Sequence, residues 1–298
     1  MKRRALLLGA VTAAMFAGSA FAAADTHGIL GFRWGKNAFD FETLPSQPAP
    51  PQNLSRHKDG SADHAHMVGD YHNPILRPYA AAILKKKGDV VIAGGYNQNT
   101  QDQCRAMGPP FTLAMGTAVQ MMPSVNGDIV IVYDQNANIR HVRMNAAHPA
   151  KPVRTAKGDS IGHWEGDVLV VDTVGLKNDA FTAVDRLGTP MSEEMHVIER
   201  YHLIDGALAK SQTDAYEKSE GVIGGGTRNA GYDPDTSLKG LQLDLTLEDP
   251  KIFTAPLTVR VTYRRLANEW SESVCAENPM EHYKDEWVGR PKATRIDF

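Results

Sequence analysis

The sequence is poor in cysteine and in aromatic side chains. It has 2 cysteines in 298 residues, and Phe, Trp and Tyr together make up 7% of it. A chain of this length buries most of its apolar surface on folding, so it needs no disulfide framework. Cys104 and Cys275 have neither the CxxC nor the Cys-His spacing of a metal site, and we expect them to form one disulfide in an oxidising compartment.

Motifs for organic cofactors are also missing. The chain has no dinucleotide fingerprint, phosphate loop, nucleophile-elbow serine or zinc-protease motif. The Gly-rich insertion at 217–239 lacks the Gly-Lys-Ser/Thr ending of a phosphate loop, and we interpret it as a surface loop that could serve as a lid. An enzyme built on this sequence would therefore work without a tightly bound organic cofactor.

Basic residues are outnumbered except at the amino terminus. The formal net charge is −3, so electrostatics give no reason to expect binding to nucleic acid or to anionic lipid. Residues 1–24 combine Lys2-Arg3-Arg4 with an apolar run and small residues, which is typical of a cleaved signal peptide. We expect a periplasmic protein without a membrane anchor after cleavage, and Arg3-Arg4 makes twin-arginine export an alternative route.

Residues 25–72 are polar and rich in proline, which predicts an extended arm ahead of a single β-rich domain at 73–298. The arm has the densest histidine group in the chain. His64 and His66 would share one face of a strand, and together with His72 they are weak candidates for Zn²⁺ or Cu²⁺ ligands. The alternative is a hydrated arm whose histidines bind nothing specific.

Several segments of the remaining chain are predicted strands. Those at 196–204, 241–248 and 257–264 alternate apolar and polar residues with a period of two, as half-buried antiparallel strands do. The segment at 168–173 is a β-branched run typical of a buried strand, and turn signals place further strands at 128–133, 139–144 and 159–164. Asn73-Pro74 and apolar residues at helical spacing predict one amphipathic helix before them. We predict a mainly β fold, an antiparallel meander closing into a barrel or a strongly curved sheet, with room inside for one small ligand.

The hairpin formed by 159–164 and 168–173 holds the most closely spaced ionisable groups. With a turn at Glu165-Gly166, Asp159 would lie opposite Asp172. Two opposed carboxylates must share a proton, hold a cation or stay hydrated. His163 lies about 13 Å along the strand from Asp159 and cannot touch it. It is either a general base at a pocket mouth or a solvated imidazole.

Two further segments supply ionisable groups. In 196–204, Glu199 shares one strand face with Val197, Tyr201 and Leu203. If that face is the buried one, burial would raise the pKa of Glu199 and prepare it for acid–base catalysis. The alternative is a structural ion pair with Arg260 or Arg264. His148 follows an earlier strand, close in sequence to the acidic hairpin. The catalytic candidates are Glu199, His163, His148 and Asp172, and the ligand-binding candidates are Trp164, Tyr201, Arg200 and His196.

The segment Gly158-Asp-Ser-Ile-Gly-His-Trp-Glu-Gly-Asp-Val-Leu-Val-Val-Asp-Thr-Val-Gly175 resembles the signature of a widespread family of exported bacterial proteins without an assigned activity. Met195-His-Val-Ile-Glu-Arg-Tyr201 and Val274-Cys-Ala-Glu-Asn278 match that family as well. The resemblance implies an exported, β-rich domain and supplies no mechanism. The chain departs from the family pattern between Tyr201 and Leu241, where a long insertion separates strands that the family joins closely.

Two classes of function are consistent with these features. The first is a cofactor-independent lyase, isomerase or hydrolase acting on a small apolar or aromatic molecule. The second is a lipocalin-like carrier without catalysis, and a periplasmic metal-binding protein that uses the 57–72 arm is a third hypothesis. An enzyme needs at least two of its four candidate groups to reach one shared cavity atom.

Overall fold

The computed structural model describes residues 27–116, 118–135, 138–220 and 231–267. It contains three helices in these ranges, α1 (Pro78–Ile92), α2 (Phe111–Ala114) and α3 (Gly206–Ser219). The strands are β1 (Arg33–Gly35), β2 (Glu42–Thr43), β3 (Ala118–Pro123), β4 (Ile129–Tyr133), β5 (Asn138–Met144), β6 (Asp159–Glu165), β7 (Val168–Val174), β8 (His196–Ile204), β9 (Gly240–Glu248) and β10 (Leu257–Arg265).

The strands form a closed, mixed barrel of 9 strands. From β3 to β10 each strand pairs with the next along the chain, and β1 closes the circle between β10 and β3. The short β2 adds to β10. The predicted barrel is thus confirmed. It departs from a pure antiparallel meander at one place, because β5 and β6 run parallel. Parallel neighbours need a long crossover connection, which here is the segment 145–158.

Side chains fill the inward positions of the described strands. Leu243, Leu245 and Val259 have no exposed surface, and Ile131 and Leu169 are equally buried. Every second residue of a strand points inward, and the apolar residues of these strands occupy those positions. Their side chains therefore pack against one another inside the barrel. The predicted space for a ligand inside the barrel is therefore occupied by side chains wherever the inward-facing residues are described.

The amino-terminal arm contributes to the barrel, contrary to the prediction that it precedes the domain. Its residues Arg33–Gly35 form β1, the closing strand, and Trp34 is completely buried. The sequence did not reveal this strand, because three residues are too few to show an alternating pattern. The β domain therefore begins well before residue 73.

The helix expected after Asn73 begins later than the sequence suggested. It is α1, and the proline at its first position is Pro78, while Leu76 forms a bridge with Phe253 instead. Ala80 and Leu84 on α1 belong to the main core. Gly88 lies within the helix rather than ending it. A Cβ at this position would lie 2.9 Å from Cγ1 of Val68, so the close packing leaves little room for a side chain.

A second long helix, α3, was not predicted. The sequence between Tyr201 and Leu241 was interpreted as a Gly-rich insertion, yet its first part is helical up to Ser219. The Asp205 side chain caps this helix by accepting hydrogen bonds from the amides of Ala207 and Leu208. The helix packs on the outer face of β9 and β10.

Several predictions concern residues outside the described ranges. These are the signal peptide at 1–24, residues 221–230 of the insertion at 217–239, and Cys275, so the disulfide with Cys104 stays a prediction. In the part of the chain that the structure describes, no helix is long and apolar enough to span a membrane.

Candidate acid–base site

The strands 159–165 and 168–174 form the predicted hairpin, but they pair in a register that differs from the predicted one. Gly166, with φ of 59°, is the first residue of a two-residue turn, so Glu165 pairs with Val168. Asp159 therefore lies opposite Val174, and Asp172 lies opposite Ile161. The shift of two residues keeps every side chain on its predicted face but makes Asp159 and Asp172 diagonal neighbours on the outer surface.

The crossover between β5 and β6 returns His148 to this hairpin. Its Nδ1 lies 2.6 Å from Oδ1 of Asp159, and its Nε2 lies 2.9 Å from Oδ1 of Asp172. Arg143 on β5 donates to both carboxylate oxygens of Asp159, at 2.8 and 3.0 Å. The two aspartates are therefore bridged by the imidazole of His148.

The chain of polar contacts continues across the next two strands. His196 on β8 pairs in register with Glu248 on β9. Its Nδ1 lies 2.9 Å from Oε2 of Glu248, and its Nε2 lies 2.9 Å from Oδ1 of Asp172. We call the row Asp159, His148, Asp172, His196 and Glu248 the imidazole–carboxylate chain.

Hydrogen-bond counting fixes the state in which this chain is fully bonded. An ionised carboxylate only accepts, and a neutral imidazole has one N–H. Since both nitrogens of His148 and of His196 face carboxylates, each histidine satisfies both contacts only as the imidazolium. With Arg143, three cations then balance three anions, so the fully bonded chain is electrically neutral.

Burial and hydrogen bonding shift the pKa values in the middle of the chain in opposite directions. The hydrogen bond to Asp172 is the main cause of a raised pKa at His196, and Glu248 adds to it while burial opposes it. Partial burial would raise the pKa of Asp172, but the hydrogen bonds from His196 and His148 outweigh it and the net shift is downward. Both shifts favour the ionised form of each group.

A cleft of about 170 Å³ adjoins the end of the imidazole–carboxylate chain. Glu248 lines it, and its walls are otherwise mostly apolar, with Arg77 at one side. The lining residues are Arg77, Glu248, Asp249, Pro250, Phe253, Thr254, Ala255 and Pro256. The Arg77 Nε group donates to the carbonyls of Pro250 and Phe253, at 2.5 and 3.1 Å, which fixes this wall. Glu248 therefore belongs both to the imidazole–carboxylate chain and to the wall of this small, mostly apolar cleft.

Glu199, the most buried of the catalytic candidates, lies elsewhere, inside the barrel. Its two oxygens accept from Nη1 and Nη2 of Arg140, both at 2.6 Å, and Oε2 also accepts from the Tyr201 hydroxyl at 2.6 Å. The side chains are 0% and 2% exposed for Glu199 and Arg140. Burial lowers the pKa of Arg140, but Glu199 outweighs this and the net shift is upward. The structural alternative was right in kind, although it named Arg260 and Arg264 as partners.

His163 and three of the ligand-binding candidates also lie apart from the chain. His163 is exposed and lies 3.0 Å from Glu165, which also accepts from Arg200 at 2.5 Å. Trp164 stacks on His27 with ring centroids 3.8 Å apart, and Tyr201 is completely buried. Of the eight candidates, the structure brings His148, Asp172 and His196 into one cluster on the outer face. It pairs Tyr201 with Glu199 separately, inside the barrel.

The arm histidines do not converge on one point. His64 bonds to the backbone carbonyl of Glu220 at 2.7 Å, while His66 bonds to Asp63 at 3.0 Å and the His72 ring contacts Tyr71. Among the residues the structure describes, no three His, Cys, Asp or Glu side chains are grouped so that they could hold a metal ion.

Sequence reasoning did not select Asp159, Arg143 or Glu248 as site residues. Asp159 was recognised only as one of two opposed carboxylates. Glu248 ends an alternating strand, and its link to His196 depends on the β8–β9 register, which no local pattern gives. Its position immediately before Asp249-Pro250, at a turn, was the one available signal.

Comparisons with family models, with curated proteins and with solved structures find no match to this chain. The family suggested by the Gly158–Gly175 segment therefore stays a prediction.

Proposed function

We propose that the protein binds a small apolar or aromatic molecule in the cleft beside Glu248 and exchanges a proton with it through the imidazole–carboxylate chain. The observation that carries this proposal is that the chain ends at Glu248, on the wall of the cleft. An isolated surface ion pair would need no such extension over four strands.

The contacts give each residue a distinct role. Glu248 is the group that meets the ligand, and its carboxylate takes a proton from it or returns one. His196 lies behind Glu248 and stabilises its charge, and Asp172 holds the imidazole in position with His148 on its other side. Arg77 at the cleft wall supplies a positive charge for a polar group of the ligand. The reaction class is proton abstraction or donation without a cofactor, as in an isomerase or a lyase, with hydrolysis as the alternative.

A deuterium wash-in assay tests the proposal without knowledge of the substrate. A panel of small aliphatic and aromatic ketones, hydroxy acids and unsaturated acids is incubated with the full chain in D₂O, and deuterium at carbon is measured by mass spectrometry. A positioned general base contributes roughly 10²–10⁴-fold in rate. We therefore expect at least one compound to exchange at least tenfold faster with the native protein than with Glu248→Gln.

The matched control is Glu165→Gln. Glu165 is also a surface carboxylate bonded to a histidine and an arginine, but it does not line the cleft. This variant should keep the exchange activity of the native protein. Equal exchange by the native protein and Glu248→Gln for every compound would disprove the acid–base function.

The carrier hypothesis is less well supported by the described residues. A lipocalin-like carrier binds inside its barrel, and the inward positions here are filled by packed side chains. Tyr201, expected to line such a cavity, is instead bonded to Glu199. A carrier function would therefore also have to use the outer cleft.

We further propose that the protein functions in the periplasm. The support is the pattern of residues 1–24, with basic, apolar and small-residue zones in order. Mass spectrometry of the protein purified from a periplasmic extract would show whether the chain begins near Asp25. An intact amino terminus in the cytoplasmic fraction would contradict the proposal.

A further inference from the structure

A histidine at the start of the described chain is held against the β6–β7 hairpin, next to its turn. The His27 ring stacks on Trp164, with centroids 3.8 Å apart and an angle of 11° between the planes. Its Nδ1 lies 3.3 Å from Oδ1 of Asp167, and the side chains of His27 and Asp167 are 25% and 94% exposed. Stacking uses a face of the imidazole, so the edge that carries Nδ1 meets only an exposed carboxylate in this contact.

The residues before His27 give this histidine a special position along the chain. Ala22-Ala23-Ala24 has the small residues of a signal-peptide cleavage site, with Ala24 as the last residue removed. The mature chain would then begin Asp25-Thr26-His27, which places a histidine third from a free α-amino group. Cleavage after Ala22 is the alternative, and it would place His27 fifth.

An amino-terminal sequence with histidine third has four nitrogens that reach one metal ion. They are the α-amine, the backbone nitrogens of the second and third residues, and Nδ1 of the imidazole. Four nitrogens in a plane are a ligand set that suits Cu²⁺ and Ni²⁺, and Cu²⁺ binds more tightly of the two. His27 supplies two of these nitrogens. Asp25 and Thr26 lie outside the described ranges, and their chemical contribution is the α-amine and one amide.

Resting on the export proposed above, we propose that the mature amino terminus Asp25-Thr26-His27 is a binding site for one Cu²⁺ ion, which Ni²⁺ also occupies. The metal replaces one proton of the α-ammonium group and the protons of the two amides, so three protons leave as it binds. Affinity therefore rises with pH. Nδ1 of His27 exchanges its contact with Asp167 for the metal, while the ring face on Trp164 takes no part in coordination and stays stacked.

The proposed metal site is separate from the cleft beside Glu248. Leu169, close to the β6–β7 turn, pairs with Tyr201, whereas Glu248 pairs with His196 at the other end of β8. Metal binding at the amino terminus and proton exchange in the cleft can therefore be tested independently.

Nickel titration of the exported protein tests the proposal. The full mature chain is purified from the periplasm without a metal-binding tag, and intact-mass spectrometry identifies its first residue. Square-planar Ni²⁺ bound through deprotonated amides has a yellow absorption band that Ni²⁺ held by imidazoles alone lacks. At pH 8, near the ordinary α-amine pKa of about 7.7–8.0, we expect this band to grow up to one Ni²⁺ per chain. Cu²⁺ added afterwards should replace it.

The matched variant is Thr26→Pro, because proline has no amide proton to lose while His27 and the α-amine are kept. Both Thr26→Pro and His27→Ala should lose the band, whereas His66→Gln in the arm should keep it. Bound Cu²⁺ should also quench tryptophan fluorescence. Trp164→Phe should remove most of that quenching, since Trp164 is the ring stacked on the ligand.

The possible failures are distinguishable. An intact signal sequence in the cytoplasmic fraction would contradict export and the metal site together. A mature chain that begins at Asp25 but gives no square-planar band would overturn the metal site alone. A band that survives in Thr26→Pro, or a mature chain that begins at Ala23, would overturn it as well.

Discussion

The ion pair of Arg140 and Glu199 inside the barrel makes a prediction that separates catalysis from structure. A general acid or base can be replaced with little loss of stability, whereas a buried partner of a fixed charge cannot. The variant Glu199→Gln keeps the size of the side chain and removes its charge. It leaves the Arg140 guanidinium, 2% exposed, without a counter-ion.

The size of the effect follows from the contacts of Glu199. The substitution removes a bidentate ion pair with two 2.6 Å hydrogen bonds. Breaking a buried pair by removing one partner costs about 3–5 kcal/mol. Whole domains are stable by roughly 5–15 kcal/mol, so the loss would be a large fraction of the free energy of unfolding.

Urea unfolding followed by tryptophan fluorescence measures this loss. With an m-value of about 3 kcal/mol per molar urea, a loss of about 4 kcal/mol lowers the midpoint by roughly 1 M. The triple variant Arg140→Met, Glu199→Leu, Tyr201→Phe removes both charges and the phenol hydroxyl together. It should recover most of the stability, because apolar groups often replace a buried pair without net cost.

The matched control is the exposed pair of Lys210 and Asp214 on α3. Exposed pairs contribute little, so Asp214→Asn should leave the midpoint nearly unchanged. If Glu199→Gln unfolds within a few tenths molar urea of the native protein, the structural role assigned to Glu199 is wrong and its catalytic role must be reconsidered.

The remaining predictions concern the imidazole–carboxylate chain and the packing around glycine. Because the pKa of His196 is raised on folding, its stabilising contribution is complete below about pH 6.5, the unfolded value, and is lost as pH rises through the folded pKa. The unfolding midpoint of His196→Gln should therefore fall further below that of the native protein at pH 6 than at pH 9, and equal deficits would contradict the assigned contacts. Asp172→Asn removes the carboxylate that both imidazoles share, so NMR titration should show a lower pKa at His196, while His163→Gln should leave that pKa unchanged. Gly108→Ala places a methyl group in direct overlap with the Ala156 carbonyl oxygen. Gly127→Ala meets nothing within 4 Å and bears only the strain energy of a positive φ, roughly 1–2 kcal/mol. Thermal unfolding should therefore show a larger loss of stability for Gly108→Ala than for Gly127→Ala.

The barrel was predictable because alternation is a local property of each strand. The predicted segment at 196–204 coincides with β8, and its residues divide between two faces as the alternation indicates. The sequence left open which of the two faces is the inner one. Successive side chains of a strand point to opposite faces, so Val197 and Tyr201 lie on the same face and are buried together. The closing strand β1 was missed because three residues are too few to show a period.

The candidate site was less predictable because it depends on register and on a crossover. The sequence placed His148 near the acidic hairpin only by proximity along the chain. Its position between Asp159 and Asp172 results from the parallel pairing of β5 with β6, which no short pattern in either strand indicates. Glu248 could be linked to His196 only after the β8–β9 register was known.

The filled interior and the polar outer face together determine where a ligand can bind. A barrel whose inward positions are packed gains stability from that packing and gives up the space that a carrier would use. Ionisable side chains that are to meet a ligand then have to lie on the outer face. In this barrel the imidazole–carboxylate chain takes one residue from each of the four consecutive strands β6 to β9, and the crossover adds His148. The same crossover that makes the barrel mixed thus supplies the residue that joins its two aspartates, so a shorter connection between β5 and β6 would remove His148 and divide the imidazole–carboxylate chain.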